Sequence, residues 1–377
     1  MTALRVGFDT GPLFGPKTGV GLAVEAMHAA LAARDDLELV DYVLSFRARP
    51  EPPTRRLPLP AALAHRLWAR GDRPQADRWL HDVQLVHGTN YVVPPSRLPR
   101  LVSVYDCWFL RHPEDASPAV RLAGKILRRA VAGGAVVHTS SHATTRAVRE
   151  LMPGASVHTV HLGALPLPPP PATSPIPELT SLPFVVSIGT LERRKNLPRL
   201  VRAFGTLAAD QPEVRLVLAG ADGDDRYAIH HAVDALGSHA HRVLFTGRID
   251  DAVRSWLLHH AAVLAYPSLD EGFGFPLLDA MQAGVPVVAS DAGSIPEVAG
   301  DAALLCPADD VDALARNLAL AINSPSVRAH LVAAGVRQLQ HFTWQRCAAA
   351  MVDLYRRVAA GDGTGDGTGD GTETEQR

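Results

Sequence analysis

Short apolar runs, polar or Gly-rich turns and stretches of helical apolar spacing alternate along the chain, the pattern a parallel α/β sheet produces. In the first half Leu4–Phe8, Val83–Val86, Leu101–Tyr105, Ala135–Thr139 and Val157–Val160 read as buried strands. In the second half Phe184–Ile188, Val214–Ala219, Val243–Phe245, Ala261–Tyr266 and Val285–Ala289 do the same. Helical spacing fills Leu22–Ala33, the segment from His142 to Leu151, Leu197–Ala208, and stretches that open at Val311 and Pro325. Residues 165–183 are too Pro-rich to pack as a helix or join a sheet centrally, so they predict a domain boundary. The expected units are therefore 1–164, a linker 165–183, 184–343, a last helix 344–360, and a tail 361–377. Three Gly-Asp-Gly-Thr repeats without an apolar residue make that tail a solvated, disordered segment in this reading.

The strands end in polar residues, where open α/β sheets gather ligands. Richest is Tyr266–Glu297, in which an apolar run breaks into the turn Glu271-Gly-Phe-Gly274 and a helix starts about Pro276. Leu277, Leu278 and Met281 give the helix its apolar face, and Gly284 ends it. A Gly-rich turn that feeds a helix N-terminus suits an anion, because the first N–H groups are unpaired and glycine permits close approach. Glu271 and Asp279 flank that place, one in the turn and one a turn into the helix. Arg193, Arg194 and Lys195, between a strand and a helix, form a second anion-oriented feature. The loop Asp9–Gly21 fails as a P-loop, because Pro16 precedes Lys17-Thr18, and fails as a dinucleotide fingerprint. It reads as a flexible loop over a cleft.

Composition narrows the classes. Over 377 residues the chain is 47% hydrophobic and 20% charged with a net charge of −2, which gives no electrostatic footprint for nucleic acid. Cys107, Cys306 and Cys347 lack metal-ligand spacing and suit small core residues in a reducing compartment. No apolar run approaches the roughly 18 residues of a membrane span, and the N-terminus passes directly into a strand rather than a leader. A cytoplasmic protein is expected. Pro50–Leu80 reads as irregular and Arg-rich, with Trp68 and Trp79 interleaved, and Arg121–Arg129 is basic and amphipathic. Both suit peripheral contact with an anionic membrane at its inner face, or simply a solvated surface.

Pro267-Ser-Leu-Asp-Glu271-Gly-Phe-Gly-Phe-Pro276-Leu-Leu-Asp279-Ala-Met281-Gln-Ala-Gly284-Val-Pro286-Val resembles the signature of the retaining nucleotide-sugar glycosyltransferases of family 4. Their pattern is Glu-Gly-Phe-Gly-x-x-x-x-Glu; this chain has Asp279 in place of the second Glu. Gly189-Thr-Leu-Glu-Arg-Arg-Lys-Asn196 is similar to the family's Gly-Thr-Leu-Glu-Pro-Arg-Lys-Asn, and Val104–Glu114 to its Ile-His-Asp segment, with Tyr105 in place of the His. The resemblance implies a GT-B fold: two Rossmann-like domains facing across a cleft, with the last helix crossing back. It implies transfer of a hexose from a nucleoside diphosphate to a hydroxyl acceptor, with retention, with no metal and no cofactor beyond the donor. Close wording among mannosyltransferases makes GDP-mannose the first expectation for the donor and a lipid-linked saccharide one of several for the acceptor.

Carried over residue by residue, Glu271 and Asp106 would be catalytic. Arg194, Lys195, Gly272, Phe273 and Gly274 would hold the donor diphosphate, and Asp279, Gly220 and Arg248 the nucleoside. Gly19, Gly21, Asn90 and Tyr105 would face the acceptor and sugar. Three alternatives stay open: a nucleotide-sugar epimerase on the same fold, a non-catalytic sugar-nucleotide-binding partner of another transferase, and a retaining glycosidase using Glu271 with Asp279.

Overall fold

The computed structural model describes residues 3–14, 18–45 and 50–362. Their strands form two parallel sheets. The first contains β1 (Leu4–Asp9), β2 (Leu37–Leu44), β3 (Arg55–Leu57), β4 (Leu85–Gly88), β5 (Arg100–Val104), β6 (Val136–Thr139) and β7 (Val157–Thr159). Its order is β3-β2-β1-β4-β5-β6-β7. The second contains β8 (Phe184–Ile188), β9 (Arg215–Ala219), β10 (Val243–Gly247), β11 (Val263–Tyr266), β12 (Val287–Ser290) and β13 (Ala303–Cys306). Its order is β10-β9-β8-β11-β12-β13. Each order reverses once, between β1 and β4 and between β8 and β11. A crevice opens outside the carboxyl ends of the strands at such a reversal.

The sheets extend further than the apolar runs predict. β2, β3 and β13 carry no run of their own in the sequence reading, and Pro50–Leu80 is more ordered than expected, holding β3 and the helix Ala61–Trp68. After Glu297 the chain ends a short helix, Ile295–Ala299, and passes through the turn Gly300–Ala302 into β13. Helix Phe275–Ala283 starts one residue before Pro276 and ends on Gly284, whose φ of 69° lies in the left-handed region. The Gly-Asp-Gly-Thr repeats lie outside the described residues from position 363 onward.

One buried apolar cluster runs through both sheets: Val6, Met27 and Leu101 join Phe184, Leu278 and Met351. The last helix, Trp344–Ala360, supplies the join, because it leaves the second sheet and packs on helix Gly19–Ala32, β4 and β5. A buried hydrogen-bond chain fixes it there, and its direction can be derived. The Val160 carbonyl only accepts, so His138 Nε2 donates to it at 3.1 Å. Burial pushes the His138 pKa down to about 4, so the ring is neutral and Nδ1 accepts from the Ser103 hydroxyl at 2.8 Å. Ser103 Oγ then accepts from His87 Nε2, and His87 Nδ1 accepts from the Tyr355 hydroxyl, each at 2.8 Å. Burial also holds the His87 pKa well below its ordinary value. Every atom of the chain is satisfied, which buried polar groups require.

The three cysteines are buried and free. No helix among the described residues is long and apolar enough to cross a membrane.

Candidate active site

The reversal points of both sheets carry the predicted side chains. After β8 the chain turns through Arg193–Lys195 into Asn196, whose positive φ of 58° starts helix Leu197–Asp210. Asn196 Nδ2 donates to the carbonyls of Pro267 and Ala308 at 2.9 and 2.8 Å, and the Leu269 amide donates to the Arg194 carbonyl at 2.7 Å. These bonds tie the loop after β8 to the loop after β11. Lys195 Nζ consequently reaches Glu271 Oε1 at 2.6 Å, and Arg194 Nη1 reaches Glu271 Oε2 at 3.1 Å.

Glu271 is 5% exposed. Burial opposes its charge, but the Lys195 and Arg194 cations prevail and hold its pKa down to about 2. Lys195 also donates to the Tyr266 hydroxyl at 3.1 Å and lies 4.9 Å from the centre of that ring. Arg194 is braced by Glu192, with Nη2 at 2.9 Å from its carboxylate. Beside this cluster Gly274 takes a φ of 95° and opens helix Phe275–Ala283, so the helix N-terminus, two cations and one carboxylate converge.

Gly272 brings the two sheets together. A Cβ there would lie 1.6 Å from the Tyr105 carbonyl oxygen, so only glycine allows the loops to touch. The Gly272 carbonyl accepts from the Ser140 hydroxyl at 3.1 Å and the Thr144 hydroxyl at 3.3 Å. Nearby, Glu297 accepts from the first amides of helix His142–Leu151, His142 at 2.8 Å and Ala143 at 3.2 Å, and pairs with His161 Nε2 at 2.6 Å. That carboxylate satisfies amides a helix start leaves unpaired. Neither Glu297 nor its partners is among the sequence-predicted residues.

Asp106, from the loop after β5, accepts from the Tyr91 hydroxyl at 3.2 Å and the Trp108 amide at 3.1 Å. With Glu271 it lines a cavity of about 620 Å³ between the sheets, together with Trp108, Asp270 and Asp291. Tyr105 and Phe273 are buried nearby, whereas Asn90 is exposed just past β4. Gly19 is exposed at the start of helix Gly19–Ala32, and Gly21 is buried with its amide on the Thr18 hydroxyl. Gly220 sits at the end of β9 beside Gly189, and Arg248 is exposed after β10. Asp279, 3% exposed, is not with Glu271: it pairs with Arg254 of helix Asp251–His260 at 2.5 Å. Burial raises the Asp279 pKa to about 6, against the pull of Arg254. Sequence reasoning missed Arg254, because a lone basic residue on a helix carries no signal of its partner.

Residues 175–338 match the family model described as glycosyl transferases group 1. An O-antigen chain mannosyltransferase B from Escherichia coli is 28% identical over 390 aligned residues, covering 94% of this chain and 100% of that one. A phosphatidyl-myo-inositol mannosyltransferase from Mycolicibacterium smegmatis is 32% identical over 171 residues, 45% of this chain and 43% of that one. Among solved structures, a sucrose-phosphate synthase from Thermosynechococcus elongatus superposes with a TM-score of 0.73 at 20% identity, covering 95% of this chain and 100% of its own.

Proposed function

We infer, from the match of residues 175–338 to the glycosyl transferases group 1 model and from a fold shared with a sucrose-phosphate synthase, that this chain is a glycosyltransferase that moves a hexose from a nucleoside-diphosphate sugar to a hydroxyl acceptor with retention and without a metal. The observation that carries this reading is the convergence of Arg194, Lys195 and Glu271 on the N-terminus of helix Phe275–Ala283. Two cations and a helix start suit a diphosphate, and a carboxylate between them suits sugar hydroxyls.

Transfer breaks the bond between the anomeric carbon and the diphosphate oxygen and forms one to the acceptor oxygen. Charge develops on the departing diphosphate, where Arg194, Lys195 and the Gly272–Gly274 amides stabilise it, the kind of fixed electrostatics that dominates catalysis. Glu271, ionised at neutral pH, takes sugar hydroxyls and supports the positive ring. The acceptor approaches on the face the leaving group departs from, and its proton passes to a diphosphate oxygen. Asp106 lines the cavity on that side and anchors the acceptor hydroxyls. Asp279 holds the ribose. Mannose is the first choice for the sugar and GDP for the carrier, because the relatives reported above are mannosyltransferases.

The test is a thermal-shift panel of UDP-, GDP-, ADP- and dTDP-sugars without added metal. A ligand at a hundred times its dissociation constant adds about 2.7 kcal/mol. One base class raising the midpoint names the donor; no shift with any nucleotide overturns the reading. The anomeric configuration of the product, read by NMR, then decides retention.

The acceptor side suits a lipid-linked saccharide presented at an anionic membrane. Leu63, Leu67 and Val120 are exposed on two packed helices, Ala61–Trp68 and Pro118–Ala132. Arg66, Arg70, Arg121, Lys125 and Arg128 are exposed on or beside the same helices.

A further inference from the structure

Helices Asp251–His260 and Phe275–Ala283 follow β10 and β11, and they meet where Arg254 Nη1 donates to Asp279 Oδ2 at 2.5 Å. Arg254 Nη2 also reaches Asp251 Oδ1 at 3.2 Å. The pair is deeply set, with the Arg254 side chain 14% and the Asp279 side chain 4% exposed. Within it two atoms are buried without a hydrogen-bond partner: Arg254 Nε, a donor, and Asp279 Oδ1, an acceptor. Buried polar atoms are almost always paired, so a complementary donor and acceptor left open in one ion pair point to a group that completes both.

The position of the pair says what kind of group. Asp279 lies one turn along from Phe275, and its Cβ tilts back toward the helix start that faces Lys195 and Glu271. A phosphate does not suit an aspartate. A vicinal diol does: one hydroxyl donates to Oδ1 while its neighbour accepts from Nε. A glutamate with two free oxygens would accept from both hydroxyls by itself. Here the shorter aspartate has one oxygen committed to Arg254, and the guanidinium supplies the second contact with the opposite polarity.

We propose, resting on the nucleoside-diphosphate reading above, that Arg254 is a specificity-determining residue that reads the ribose diol together with Asp279 and selects ribonucleotides over 2′-deoxyribonucleotides. A site built to bond a hydroxyl rejects the analogue that lacks it far more strongly than an apolar pocket rejects a missing methylene.

Isothermal titration of the full chain with GDP, 2′-deoxy-GDP, UDP, 2′-deoxy-UDP and pyrophosphate tests the assignment. Arg254→Lys keeps a charge beside Asp279 and removes Nε, so the buried carboxylate retains a counter-ion; Arg254→Leu is the harsher companion. For the base that binds, wild type should prefer the ribonucleotide by about tenfold or more, and Arg254→Lys should cut that ratio to within about threefold. Pyrophosphate affinity should not change in either variant. A ratio that survives Arg254→Lys, the absence of a preference in wild type, or parallel weakening of nucleotides and pyrophosphate would each overturn the inference. Wild type that binds pyrophosphate but no nucleoside diphosphate would overturn the donor reading itself.

Discussion

Glu271 is held by two cations from a loop 76 and 77 residues earlier in the chain, and at that range a charge is worth what its surroundings make it. Replacing it with glutamine keeps the volume and removes the charge, so the effect should fall on turnover more than on folding. Glu271→Gln should lower kcat on the order of a hundredfold, the scale at which removal of one preorganised electrostatic group is felt, with the unfolding transition still cooperative. Turnover near wild type in that variant would remove the carboxylate from the mechanism. The sequence made Glu271, Arg194 and Lys195 readable because each stands in a distinctive local string. Arg254 and Glu297 were not readable. Their partners lie 25 and 136 residues away on other elements, and no local pattern encodes such a meeting.

The strands legible from the sequence are those that carry an apolar run, the central β8 and β11 and the edge strands β7 and β10 alike. The strands that were missed lack that signal or are hidden by what precedes them. β2 mixes buried and partly exposed positions with Glu38 and Asp41 among them, β3 at the sheet edge is two-thirds arginine, and β13 is a four-residue edge strand directly after the turn Gly300–Ala302. The last helix was legible as an element and its crossing back was implied by the family resemblance, but the bond that fixes it was not legible, since that depends on Tyr355 meeting His87 across 268 residues. Because the chain from Tyr355 to Val160 runs in one direction, removing its first donor strands the His87 Nδ1 acceptor. Tyr355→Phe should therefore cost about 1–3 kcal/mol, read as a lower urea midpoint with an unchanged slope. No change in midpoint would mean that the helix is held by its apolar contacts alone.

The two sheets meet through Gly272, through the shared apolar cluster and through Glu297. Burial opposes the charge on Glu297, but the His161 contact and the two helix amides outweigh it and hold the carboxyl below its ordinary pKa. A lowered pKa means that the bond is at full strength above the unfolded value of about 4.3 and is lost as pH falls through the lower folded value. At pH 7 Glu297→Gln should unfold more easily by about 1.5–3 kcal/mol, and the gap to wild type should close as the pH drops below about 4. A gap that stays constant with pH would assign the effect to shape rather than charge. On the outer face of the first sheet, the apolar and basic side chains of helices Ala61–Trp68 and Pro118–Ala132 predict flotation with anionic vesicles and not with neutral ones. Arg66→Glu with Arg121→Glu should abolish it at low salt; equal flotation with both lipids would make the patch an ordinary solvated surface. The sequence signalled the charge of both segments and the amphipathic character of Arg121–Arg129, but not the helix Ala61–Trp68, because Pro50–Leu80 reads as irregular.

Arg194 and Lys195 already have a counter-ion, the Glu271 carboxylate. On the donor reading proposed above, an entering diphosphate would take over positions which that carboxylate otherwise fills, so binding would be an exchange of anions rather than the filling of bare positive charge. The same exchange would run backward at the end of the cycle: once the sugar had left, the carboxylate would be free to reclaim its cations, and the spent carrier would meet a competitor tethered to the protein itself.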